Sequence, residues 1–145
     1  MVYNVMDIAN RILAKADPDC GDVISNLKLQ KLLYYMQGFH LAFFDEPLFE
    51  EDIRAWQHGP VVPSVYHKYK DFGSNGITPP DPSILIELSD EEESVFDQVY
   101  NAYGQFSPLK LRDMTHNEMP WSTTRINDVI SAEKLKAYFN TQIEV

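Results

Sequence analysis

Ser25-Asn26-Leu27-Lys28-Leu29-Gln30-Lys31-Leu32-Leu33-Tyr34-Tyr35-Met36-Gln37-Gly38-Phe39-His40-Leu41, followed after an acidic turn by Ile53-Arg54-Ala55-Trp56-Gln57-His58-Gly59-Pro60-Val61-Val62-Pro63-Ser64-Val65-Tyr66, is the stretch whose reading decides the fold. Ser25 or Asn26 can cap a helix whose buried stripe is Leu29, Leu32, Leu33, Met36, His40 and Phe43, widened by Tyr35 and Phe39. A helix apolar over so much of its circumference is expected at the centre of a helical body, packed on several sides. Asp45-Glu46-Pro47 breaks it, and Pro47 to Phe49 should fold back onto the core. From Ile53 to Gln57 the chain alternates, with Ile53 and Ala55 on one face and Arg54, Trp56 and His58 on the other, as in a short strand. Gly59 permits a sharp turn, and Pro60 and Pro63 preset φ for a helix through Val65, Tyr66, Tyr69 and Phe72 to Gly73.

Outward from this stretch, Val5, Ile8, Ala9, Ile12 and Leu13 recur at helical spacing, with Asn4 as cap and Asp17-Pro18 as stop. Ser74 to Pro82 reads as a surface loop. Ile84 to Leu88 is strand-like, and pairing it with Ile53 to Gln57 would make a two-stranded ribbon. Ser89 with Glu92 forms a capping box ahead of Val95, Phe96, Val99, Tyr100 and Tyr103, and Gly104 ends that helix. Ser107-Pro108 opens a short helix with Leu109, Leu111 and Met114, which Pro120 interrupts after Glu118. Residues 126–130 read as connector, and Ser131 caps a last helix carrying Leu135, Tyr138 and Phe139. The expected fold is mainly α: one compact domain over residues 1–145, of about five to six helices with a short two-stranded ribbon.

The 145 residues suit a single core, and 44% hydrophobic with 23% charged residues is a globular composition. A formal charge of −10 disfavours nucleic acid and anionic membranes and favours basic partners. The basic pairs Lys28 with Lys31 and Lys68 with Lys70 read as solvated helix positions. One cysteine, Cys20, allows no internal disulfide and no cysteine zinc cage. Without a signal-like leader or a membrane-length apolar run, a cytoplasmic location is expected.

Two polar constellations break local helix rules: His58-Gly59-Pro60, and Thr115-His116-Asn117-Glu118-Met119-Pro120-Trp121. His116 and Glu118 with His40 or His58 could offer three metal ligands, but no His-Glu-x-x-His spacing supports them, and no metal or other cofactor is expected. A hydrolase would need Cys20, Ser64 or Ser122 beside His58 or His116, and no nucleophile elbow or glycine-rich loop frames any of these. The structural alternative has His116 and Thr115 satisfying helix-end carbonyls, Glu118 pairing Arg125 or Arg54, and Trp121 closing the core. Trp56 and Tyr34 are either half-buried or exposed as partner anchors.

The ordered set Asn26 to Tyr35, Gln37-Gly38, His40-Leu41, Pro47-Leu48-Phe49, Ala55-Trp56, Gly59-Pro60-Val61-Val62-Pro63, Val65-Tyr66, Thr115-His116, Glu118, Pro120-Trp121 and Arg125 resembles the Panacea (SocA-like) antitoxin family, also found in phage-associated proteins. The resemblance implies a stand-alone bacterial or prophage antitoxin domain in the cytoplasm. It would neutralise a toxin encoded nearby by direct protein contact, or act as an adaptor delivering the toxin to a protease. The family's toxins are chemically diverse, so the likeness names no particular one. The expected partner-binding residues are Tyr34, Trp56, His58, Gly59, Pro60 and Tyr66, with Asp45, Glu46, Glu50, Glu51 and Asp52 steering a basic toxin. His116, Glu118, Trp121 and Arg125 are expected as a structural motif. Two further alternatives stand beside this: an enzyme or metal-dependent regulator using His58, His116 and Glu118, and a transcriptional regulator, which the charge disfavours.

Overall fold

The computed structural model describes residues 2–143. Among them are seven α-helices, the central one being α2 (Asn26–Phe44), of whose nineteen residues fifteen are buried. Around it pack α1 (Val5–Leu13), α3 (Pro63–Tyr69), α4 (Asp90–Tyr103), α5 (Pro108–His116) and α7 (Ala132–Ile143). The short α6 (Met119–Ser122) joins α5 to α7, and a hairpin of β1 (Arg54–Trp56) and β2 (Gly59–Val61) lies against α2 and α5. The architecture is thus the mainly helical one expected, with more and shorter helices.

Local chemistry sets most boundaries. The side chains of Asn4, Ser25, Ser89 and Ser107 each accept a backbone N–H in the first turn of α1, α2, α4 and α5, satisfying donors that helix starts leave open. The Ser89–Glu92 capping box is present. Asp45, at φ 59°, ends α2 in the left-handed conformation and donates its N–H to Leu41. Leu48 and Phe49 then fold back into the core as expected, their backbone held by the Gln37 amide.

Five expectations are corrected. Ile84 to Leu88 is no strand: Pro82–Ile84 is a 3-10 turn, and β1 pairs instead with β2, through Arg54 with Val61, Ala55 with Pro60 and Trp56 with Gly59. Pro60 accordingly lies in β2, and Pro63 alone opens α3. Residues 126–130 are more than connector: Ala55 N–H donates to Asp128, Asn127 N–H to Ala55 and Ile130 N–H to Ile53, so this segment is held alongside β1, with one antiparallel bridge between Arg54 and Val129. Lys28 and Lys31 are buried rather than solvated, while Phe43, expected inside, is exposed.

The close approach of α7 to α2 depends on Gly38. A Cβ there would lie 2.2 Å from the Phe139 ring. Tyr34, Tyr35, Phe39 and Tyr138 all make edge-on ring contacts with Phe139, a geometry aromatic quadrupoles favour.

Candidate functional site

The polar residues of α2 build the surroundings of the hairpin. Asn26 donates from its side chain to the Tyr66 carbonyl, Gln30 donates to Asn26, and the Gln30 oxygen accepts the Val62 N–H. Lys31 donates its ammonium to the Pro60 carbonyl at 3.0 Å. Three side chains in the first turns of one helix thereby fix β2 and the start of α3. The amine of Lys31 is wholly enclosed, and burial, aided by the nearby Arg112 charge, pushes it down to about 7.

The two polar constellations of the sequence meet here. Gln57 and His58 form the hairpin's two-residue turn, and Gly59 follows at φ 112°. A Cβ at Gly59 would lie 2.6 Å from Lys31 Cε and 2.9 Å from Thr115 Oγ1, so glycine is required by both backbone and space. The His116 ring stacks on Trp121 at 4.0 Å, and the Trp121 indole donates to the Trp56 carbonyl. His116 Nε2 is buried without a hydrogen-bond partner, and the Gln57 backbone is bonded by the same imidazole. Burial first, then the charges of Arg112 and Lys31, lowers the His116 pKa.

Glu118 takes a different direction from the one expected. Its carboxylate accepts the hydroxyls of Tyr34 and Tyr35, each at 2.9 Å, and that of Tyr138 approaches from α7. It pairs with neither candidate arginine: the Arg54 guanidinium donates to the Asn127 carbonyl, and Arg125 is exposed. Burial raises the Glu118 pKa against the lowering effect of the tyrosine hydrogen bonds, and burial with the Glu118 charge raises both Tyr34 and Tyr35. Tyr34 is completely enclosed, so it is a core residue and not a surface anchor. Gly59 and Pro60 are also buried and act through backbone shape. Trp56 and Tyr66 are half-exposed, ring edge to ring face at 5.1 Å, and His58 is exposed.

Trp56, His58 and Tyr66 line a groove of about 800 Å³, a size typical of ligand clefts. Leu109 and Ile126 line it too and are 59% and 50% exposed, two large apolar side chains that the sequence placed inside or in a connector. Its basic lining is Lys70 and Arg112, over the enclosed amine of Lys31, with no carboxylate. The acidic residues expected to steer a partner lie elsewhere: Asp45 pairs with Lys136 on α7, Glu50, Glu51 and Asp52 border recesses near Tyr3 and Val129, and the Glu46 carbonyl bonds His40. Arg112 and Leu109 were missed because a solvated arginine and a core leucine on a short helix look ordinary until the hairpin is placed beside them.

Among the described residues the hydrogen bonds of the enzymatic candidates lead elsewhere. His40 is 2.8 Å from Glu92 and 2.7 Å from the Glu46 carbonyl, so both its ring nitrogens are engaged away from His58 and His116. Among the described residues no group of three or more His, Cys, Asp or Glu side chains could hold a metal ion. Cys20 Sγ contacts Asp17 and Ser122 Oγ contacts the Met119 carbonyl; no hydrogen bond links either, or Ser64, to His58 or His116 among those residues. No described helix is long and apolar enough to cross a membrane.

The family described as "Antitoxin SocA-like, Panacea domain" matches residues 29–122. A relative named Antitoxin SocA, from Caulobacter vibrioides (strain NA1000 / CB15N), is 44% identical over 70 residues, which cover 48% of this chain and 35% of the relative. The matched segment thus spans about a third of that protein's length. No solved structure matches. The chain belongs to the Antitoxin SocA-like, Panacea domain family.

Proposed function

We propose that this protein is an antitoxin that neutralises a toxin protein by direct contact, without catalysis, in the cytoplasm of its host. The observation that carries the reading is a preformed surface: Trp56 and Tyr66 stand half-exposed in contact with each other, beside exposed Leu109 and Ile126, on backbone pinned by Asn26, Gln30 and Lys31. Rigid aromatic anchors in a cleft are what tight protein recognition uses, because little side-chain entropy is lost on docking. Membership of the family and likeness to a protein named as an antitoxin support the same conclusion.

Co-expression with the protein encoded by the neighbouring gene, followed by titration, tests this. Trp56→Ala with His58→Ala should weaken the complex at least tenfold, about 1.4 kcal/mol or more, while the circular dichroism stays that of the parent. Unchanged affinity would remove the hairpin surface from the reading. Sequestration predicts an unaltered toxin half-life in cells, whereas delivery to a protease predicts a shortened one.

A further inference from the structure

The groove's charge runs against that of the molecule. The protein carries a formal −10, yet the groove wall presents Lys70 and Arg112 beside exposed His58, with no Asp or Glu, over the enclosed amine of Lys31. Among the described residues Lys70 is exposed and makes no ion pair, and Arg112 pairs only with its exposed sequence neighbour Asp113, at 3.2 Å. Lys31 sits beneath the Gly59 turn with the Pro60 carbonyl as its acceptor. At physiological ionic strength charges are screened beyond about 8 Å, so the local cations govern the groove, while a long polyanion leaving it would meet the acidic exterior. The apolar members of the wall, Trp56, Tyr66, Leu109 and Ile126, add a surface that rewards side chains and not a bare phosphate chain.

We propose that the groove takes a short acidic peptide segment of the partner protein, its carboxylates meeting Lys70, Arg112 and His58 and one apolar side chain seated between Trp56, Leu109 and Ile126. This rests on the partner-binding reading of the same surface and names the chemistry of the partner's docking segment. It reverses the expectation of a basic partner, because the net charge of the chain is not the charge of this face.

The probe is a fluorescein-labelled hexapeptide of glutamate with one phenylalanine and one leucine, its lysine-for-glutamate counterpart, and a labelled single-stranded oligonucleotide, each titrated by anisotropy against the intact protein. The acidic peptide should bind at least tenfold more tightly than the lysine peptide and the oligonucleotide. Lys70→Glu with Arg112→Glu should weaken it at least tenfold, whereas Lys68→Glu, on an exposed residue outside the groove, should not. Equal binding of the two peptides, preference for the oligonucleotide, indifference to the Lys70 and Arg112 reversal, or no binding at millimolar peptide overturns the assignment. Failure of the peptide with a toxin complex intact removes this inference alone. Peptide binding with no toxin complex supports the groove's chemistry and removes the antitoxin reading instead.

Discussion

Glu118 shows how a single side chain can organise three elements without being legible as such. Its carboxylate is the acceptor for Tyr34 and Tyr35 on α2 and reaches Tyr138 on α7. Removing it would leave tyrosine hydroxyls unsatisfied inside the core, and each such group costs about 1–3 kcal/mol. Glu118→Ala is therefore expected to lower stability by about 3 kcal/mol in urea denaturation, and Glu118→Gln, which keeps an acceptor oxygen, by less. A loss under 1 kcal/mol for the alanine variant would mean that water replaces the carboxylate. In the sequence Glu118 looked like a partner for Arg125 or Arg54, because opposite charge is visible there and a buried phenol is not. The partners of Asn26, Lys28, Gln30, Lys31, Gln37 and His40 were hidden for the same reason: each side chain is polar on an apolar helix, and it reaches a backbone or carboxylate group up to 76 residues away.

Elements were legible where the signal is local. The caps at Asn4, Ser25, Ser89 and Ser107 and the helix spacing of α1, α2 and α4 follow from residues within a few positions of one another. The ribbon was misassigned because alternation in Ile84 to Leu88 shows what a strand could be and not what it pairs with. A two-residue turn at Gln57-His58 closes β1 onto β2 at a far smaller entropic cost than a loop of about thirty residues would. The packing of α7 on α2 gives an element-scale prediction. Gly38→Ala places a methyl 2.2 Å from the Phe139 ring, so it should force the helices apart and cost about 2 kcal/mol. Gly38→Ala combined with Phe139→Leu should recover part of that loss by calorimetry; no recovery would place the strain elsewhere.

At the scale of the whole molecule, a buried network ties the chain before α1 to α2 and α4: Tyr3 donates to Glu92 at 2.6 Å, and His40 Nε2 lies 2.8 Å from the other carboxylate oxygen. Burial alone would raise the Glu92 pKa, but hydrogen bonds from Tyr3, His40 and Ser89 hold it down at about 2, below the 4.5 of a free glutamate. The folded carboxyl therefore binds its proton later than the unfolded one. The resulting stability is fully present above pH 4.5 and is lost as the pH falls through about 2. Urea midpoints of the parent should decline across that window, and Glu92→Gln should start lower and decline less; parallel curves would contradict the network. By itself the sequence determined the helical class, the central place of α2, most helix starts and the stiff turn at Gly59, because caps, periodicity and glycine geometry act over a few residues. Only the tertiary structure decided that Tyr34 is core, that the His58 and His116 segments meet, and that a cationic groove opens on an acidic protein. Burial and local charge depend on which distant side chains share a face, and spacing along the chain carries no record of that.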